Sequence, residues 1–214
     1  MSRTRYLLGT AAIVVLGLGL VSLLGVVFGR EGAVRDPERR VRFSFDGGAP
    51  GMPRGLDVVS GGLAIRDGRL VATEAKPDAP ALALAEHTRH EGRILVTAAG
   101  PTAGWGLILR AEGAERYWFA AVPPAGGPLE IGYTSDGEAT VVSRARATVP
   151  DGAGVDVRFD ANRIDVRVDG NLVVSARGRW IAGRQVGLRS TAPGVAWDDL
   201  EIGPRPRPVV RSDG

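Results

Sequence analysis

From residue 41 onward, apolar and polar positions alternate in short runs broken by Gly, Pro, Asp and Asn, and no run holds a helical period for three turns. That texture predicts strands. The clearest stretch is VDVRFDANRIDVRVDGNLVVSA, residues 155–176, where Val155, Val157 and Phe159 alternate with Asp156 and Arg158, and Ile164, Val166 and Val168 alternate with Asp165 and Arg167. Setting Phe159 opposite Ile164 places Arg158 against Asp165 and Asp156 against Arg167, opposite charges in both pairs. A three-residue loop, Asp169-Gly170-Asn171, then lets Val168 meet Leu172 and Val166 meet Val174; a two-residue loop would set Leu172 against Arg167.

The same reading predicts strands at 41–45, 68–73, 81–86, 92–98, 104–111, 115–122, 128–134, 138–144, 184–190 and 195–202. Turns recur every 8 to 12 residues or so, the spacing of an all-β, two-sheet antiparallel sandwich or jelly roll. Ahead of it stands a different pattern. Leu7 to Phe28 is a run of 22 residues without a charge, long enough as a helix to cross a hydrocarbon core of about 30 Å. Arg3 and Arg5 precede it, but no A-x-A-like cleavage site follows in GREGAVRDPERR, so an uncleaved signal anchor is the expectation. The chain thus divides into a short tail (1–6), a transmembrane helix (7–28), a linker (29–40), the sandwich (41–203) and an extended Pro/Arg tail (204–214). A count of Arg on the two flanks opposes an exported sandwich, whereas Glu31, Asp36 and Glu38 give the linker mixed charge; an extracytoplasmic sandwich is the orientation taken here.

Composition adds constraints rather than identity. Hydrophobic residues are 44% and charged residues 24% of the 214, globular proportions. Lys76 is the only lysine, so arginine supplies 26 of the 27 basic residues, and the formal net charge is only +3. No run of five or six basic residues occurs, so nucleic acid is not the expected partner. The absence of cysteine excludes disulfides, thiolate metal sites and cysteine nucleophiles together.

The order GWGLILRAEGAERYWFAAV, LEIGYTSDGEATVV, VDVRFDANRIDVRVDGNLVVSA and RQVGLRSTAPGVAWDDLEI resembles the central and C-terminal strands of concanavalin A-like jelly rolls. The flavour is that of laminin G-like and keto-disaccharide-hydrolase-like domains of bacterial envelope proteins. The resemblance implies two antiparallel sheets, one of them curved, with its concave face and rim loops as the ligand surface. Many members bind carbohydrate, some require calcium, and a minority are glycosidases; fold alone does not choose among these.

Catalytic signatures are missing from the sequence. Retaining glycosidases of this architecture carry E-x-D-x-E or E-x-D-x-x-E on one strand, and neither occurs, nor does G-x-S-x-G. His87 and His90, in EHTRHE, fall between two strands and read as a solvated loop rather than a metal site. Asp198 and Asp199 point to opposite faces of an extended strand unless a bulge intervenes, so they belong to the closing strand rather than to a carboxylate pair. No catalytic residue, metal ligand or cofactor is assigned, and calcium finds no support in the residues.

Aromatic residues are the better lead, because sugar rings stack their C–H faces on Trp and Tyr. Trp105 groups with Leu107 and Leu109 while Arg110 falls with Ile108; Trp118 faces one way, Tyr117 and Phe119 the other. The expected ligand surface is bordered by Arg110, Tyr117 and Tyr133, with Trp180 near a rim. The function these features favour is a membrane-anchored, non-catalytic module for polysaccharide or cell-wall glycan. An enzyme acting on glycosidic bonds and an envelope scaffold for a protein partner are the alternatives.

Overall fold

The computed structural model describes residues 40–46, 51–178 and 182–206, all within one compact unit, Glu38–Gly214. The expected transmembrane run at 7–28 and Trp180 lie outside the described residues. Those residues contain strands and no helix: β1 (Val41–Phe43), β2 (Asp57–Ser60), β3 (Gly62–Arg66), β4 (Arg69–Glu74), β5 (Ala81–Glu86), β6 (Gly92–Ala99), β7 (Trp105–Ala111), β8 (Tyr117–Ala121), β9 (Glu130–Ser135), β10 (Glu138–Arg144), β11 (Gly154–Phe159), β12 (Arg163–Val168), β13 (Asn171–Arg177), β14 (Gln185–Ser190) and β15 (Ala196–Gly203).

They form two antiparallel sheets. One has eight strands, in the order β13-β12-β11-β6-β15-β4-β3 with β1 added on β15; the other has seven, β10-β9-β8-β7-β14-β5-β2. The two inner faces enclose the core, to which Trp197, Phe159, Ile94 and Leu70 come from one sheet and Trp105, Leu107, Leu109 and Trp118 from the other. Each such side chain contributes roughly 1.5–3 kcal/mol on burial. Alternation works because a strand offers every second residue to this layer.

The β11–β12 hairpin keeps the predicted register, with Phe159 opposite Ile164, Arg158 opposite Asp165 and Asp156 opposite Arg167. Its ion pairs differ from the prediction. Asp156 binds Arg93 on β6 and Arg158 on its own strand, while Asp165 binds Arg163 on its own strand. The neighbouring strand and the i+2 position reach these carboxylates instead of the directly opposite residue.

The next turn corrects a second expectation. It has two residues, Asp169 (φ 48°) and Gly170 (φ 81°), both in the left-handed region that such hairpin turns require. Arg167 therefore faces Leu172, as a two-residue loop demands, and a register shift between Val166 and Arg167 restores the Val166–Val174 pair. The bulge rescues the core side and leaves Leu172 at 47% exposure.

Asp198 and Asp199 lie at a comparable device. β15 pairs with β4 through Ala196 and Trp197, and with β1 through Leu200 to Ile202. Between the two neighbours its register against β6 shifts, and Asp199 has φ 50°. The Asp198 carboxylate accepts the Asp199 backbone N–H at 2.8 Å, and the Asp199 carboxylate binds Arg42 of β1 at 2.5 Å. The acids hold the point where the last strand changes partner.

Candidate functional site

The outer face of the seven-stranded sheet carries no described helix or third sheet. Antiparallel pairing places directly opposite residues on one face. One outer row is therefore Leu82, Arg189, Gly106, Ala121 and Glu130; the next is Leu84, Gly187, Ile108, Phe119, Gly132 and Val141. A third includes Glu86 and Gln185 on one side and Tyr117 and Thr134 on the other. Leu82, Leu84, Ile108, Ala111, Tyr117, Phe119 and Ala121 pack into a second apolar cluster, separate from the core between the sheets.

Glycine makes this layer flat. A Cβ at Gly187 would lie 1.8 Å from the carbonyl oxygen of Ala83, and one at Gly132 would lie 2.6 Å from the Phe119 ring. With no side chain at Gly132, the ring of Phe119 has room, and Arg189 crosses it with its guanidinium carbon 5.0 Å from the centroid. Arg189 Nε then donates to the Tyr117 hydroxyl at 3.2 Å. That bond is the only one its guanidinium makes among the described residues, and no acid pairs with it.

Arg110 is the second buried cation of this sheet. It occupies a bulge in β7: opposite β14, Ile108 meets Gly187 and Ala111 meets Gln185, so two outer-face residues stand three apart instead of two. Arg110 has φ 52°, is 6% exposed, and its Nε has no hydrogen-bond partner. Burial pushes its pKa below the ordinary arginine range. The bulge breaks the simple parity that set Arg110 beside Ile108.

Of the residues expected at the ligand surface, Tyr117 lies on the outer face, but its ring is packed into the cluster, with the hydroxyl bound to Arg189. Tyr133 does not join it. Tyr133 pairs across the sheet with Trp118, on the core-facing side, and their rings sit 5.1 Å apart. Trp180 lies outside the described residues. The structure adds Thr134, directly opposite Tyr117, whose buried hydroxyl has no partner, and Arg189. Arg189 had a legible signal, the one charged residue on a strand that otherwise reads Gln185, Val186, Gly187, Leu188 and Ser190.

Carboxylates on this face are dispersed. Glu130 binds Arg144 at 2.6 Å and Glu86 accepts from Gln185 at 3.3 Å; four strand spacings separate them, about 19 Å, beyond the roughly 5–9.5 Å of a glycosidase pair. Asp57 stands diagonal to Glu86 at the sheet's far edge, where both are exposed.

His87 overturns the solvated-loop expectation. It is 9% exposed, its ring meets Phe159 edge-on at 5.5 Å, and Nε2 lies 3.0 Å from the Glu91 carbonyl oxygen. Gly92 makes the room, since a Cβ there would approach Nε2 to 2.5 Å. Burial lowers the pKa of His87, partly offset by the Glu91 carbonyl. His90 is exposed. Among the described residues no three His, Asp or Glu converge as metal ligands.

No protein-family model and no curated protein matches this chain. Among solved structures it is similar to the carbohydrate binding module CBM66 from Bacillus subtilis, at 15% identity and a TM-score of 0.60, covering 70% of this chain and 95% of that one. It is similar also to the carbohydrate recognition domain of Emp47p (11% identity, TM-score 0.55, 82% and 100% covered). The Bacillus licheniformis beta-glucanase matches at 11% identity and a TM-score of 0.52, with 78% and 98% covered. The shared property is the fold, a two-sheet antiparallel β-sandwich.

Proposed function

We propose that this chain is a non-catalytic carbohydrate-binding module, directed at polysaccharide or cell-envelope glycan through the outer face of the seven-stranded sheet. One observation carries the reading: Arg189, laid across Phe119 and bonded to the Tyr117 hydroxyl, puts polar hydrogen-bonding groups in the middle of an apolar sheet face. Glycan sites combine those elements, apolar floor and a few fixed polar groups. Two of the similar structures bear carbohydrate-binding names, which supports the reading at the level of fold. The charge-free run from Leu7 to Phe28 supports attachment to a membrane; the extracytoplasmic placement of the sandwich draws on the mixed charge that Glu31, Asp36 and Glu38 give the linker, against the count of Arg.

Calorimetric titration of the full chain in detergent against cell-wall glycans and storage polysaccharides, with and without calcium, tests this. Binding without turnover, lost in Arg189→Ala or Tyr117→Ala, is the expected result; silence across the panel contradicts it. A second reading, an envelope scaffold for a protein partner, draws on one feature. Val141 and Val142 on edge strand β10 and Leu172 on edge strand β13 are exposed apolar side chains, the kind of surface a partner strand covers.

A further inference from the structure

A guanidinium withdrawn from water ordinarily meets a carboxylate, because its lost hydration must be replaced by charge and hydrogen bonds. On the eight-stranded sheet Arg93, Arg158 and Arg163 follow that rule, whereas the half-buried Arg167 bonds only the Gly170 carbonyl. On the seven-stranded sheet, two arginines at least nine-tenths buried have no acid: Arg110 on β7 and Arg189 on the adjacent β14. Arg189 is held only by a neutral hydroxyl and an aromatic ring. Thr134, beside Tyr117, is a third buried polar group, and its hydroxyl is unsatisfied. Buried polar groups without partners are rare in folded proteins and call for an explanation.

Resting on the carbohydrate-binding reading of this face, we propose that its ligand is an acidic sugar, a uronate whose carboxylate supplies the counter-charge that Arg189 lacks. The chemistry is specific. Nε of Arg189 is committed to Tyr117, which leaves the two terminal nitrogens as a planar pair matching the two oxygens of a carboxylate. Tyr117 and Thr134 stand directly opposite each other on β8 and β9 and are both buried, so the free edge of the Arg189 guanidinium is the group offered to the sugar carboxylate. The surrounding Leu84, Ile108 and Phe119 keep the pair in a poorly screened environment, where opposite charges attract more strongly than in water. A neutral sugar on the same face leaves the guanidinium unpaired, so the site discriminates by charge.

The test compares α-1,4-linked trigalacturonate, its methyl ester, maltotriose and acetate by calorimetry on the full chain, at low and high salt. Trigalacturonate is expected to bind at least about tenfold more tightly than its ester and to weaken with salt. Arg189→Gln should weaken acid binding by about 10- to 100-fold and Arg189→Lys by less, with the ester unaffected. The ester comparison uses the unaltered chain and stands even where Arg189→Gln does not fold. Equal affinity for acid and ester, or acid binding that survives Arg189→Gln, would overturn the charge assignment while leaving a glycan-binding face intact. Acetate binding as tightly as trigalacturonate would overturn the sugar part. No binding of any glycan, neutral or acidic, would overturn the reading on which the assignment rests.

Discussion

The two sheets differ in how their most buried charges are held. On the eight-stranded sheet, Asp156 takes both Arg93 and Arg158, and Asp165 takes Arg163 and the Ser175 hydroxyl. Arg205 extends this set, reaching Asp160 and Asp165. Burial alone would raise the pKa of Asp156, yet hydrogen bonds from the two guanidiniums outweigh it and hold the carboxyl below its ordinary range. On the seven-stranded sheet an apolar layer surrounds Arg189, and neither Arg189 nor Arg110 has an acid. A buried guanidinium already paired with an acid contributes to the fold, whereas one without an acid keeps bonding capacity in reserve, which is why the face that carries Arg189 is the candidate for ligand.

Substitutions can break that contrast at graded strength. The largest effect belongs to the layer both sheets share: Trp197→Ala should lower stability by about 3–5 kcal/mol in chemical denaturation and weaken both faces together. Asp156→Asn should cost about 1–3 kcal/mol, toward the low end because Arg93 and Arg158 are 21% and 32% exposed and water screens them. The same variant should flatten the acid limb of the stability curve, since a depressed folded pKa gives stability that is present above the unfolded value and lost as pH falls through the folded one.

Arg189→Leu should do the reverse. Removing a buried cation with no acid should leave stability unchanged or raise it by about 1 kcal/mol, measured in the same denaturation experiment, while binding of the acidic glycan weakens. The smallest effect is at His87. Its folded pKa lies below the ordinary value of about 6.5, so the unfolded chain takes up the proton first. Stability should therefore be full above that pH and decline as pH falls toward the folded value, and His87→Gln should abolish this decline.

Much of the fold was legible because alternation is a direct consequence of strand geometry. Trp105, Leu107 and Leu109 entered the core together, Trp118 faced away from Tyr117, and β5 and β10 run between the predicted limits. What escaped was whatever interrupts alternation. β2 and β3 are short and partly exposed, and their apolar residues give no clear two-residue period. Bulges at Arg110, at Asp199 and beyond Val166 rest on local backbone geometry at residues that carry no glycine. Ion-pair partners depend on rotamers and on strands distant in sequence, so Asp156 was assigned to Arg167 and found with Arg93. His87 was hidden for a similar reason: its pocket depends on Gly92 and Phe159, which only the fold brings together. The site was half legible, since Tyr117 was named and its partner Arg189, 72 residues away, was not.

Mapping backbone amide shifts of the isotope-labelled full chain during a titration with trigalacturonate tests the central claim most directly. Changes are expected to concentrate at Arg189 and Gly187 on β14, Tyr117 and Phe119 on β8 and Thr134 on β9, and to need about 10- to 100-fold more ligand in Arg189→Gln. Changes confined to Arg93, Asp156 and Arg158 on the opposite sheet would contradict it.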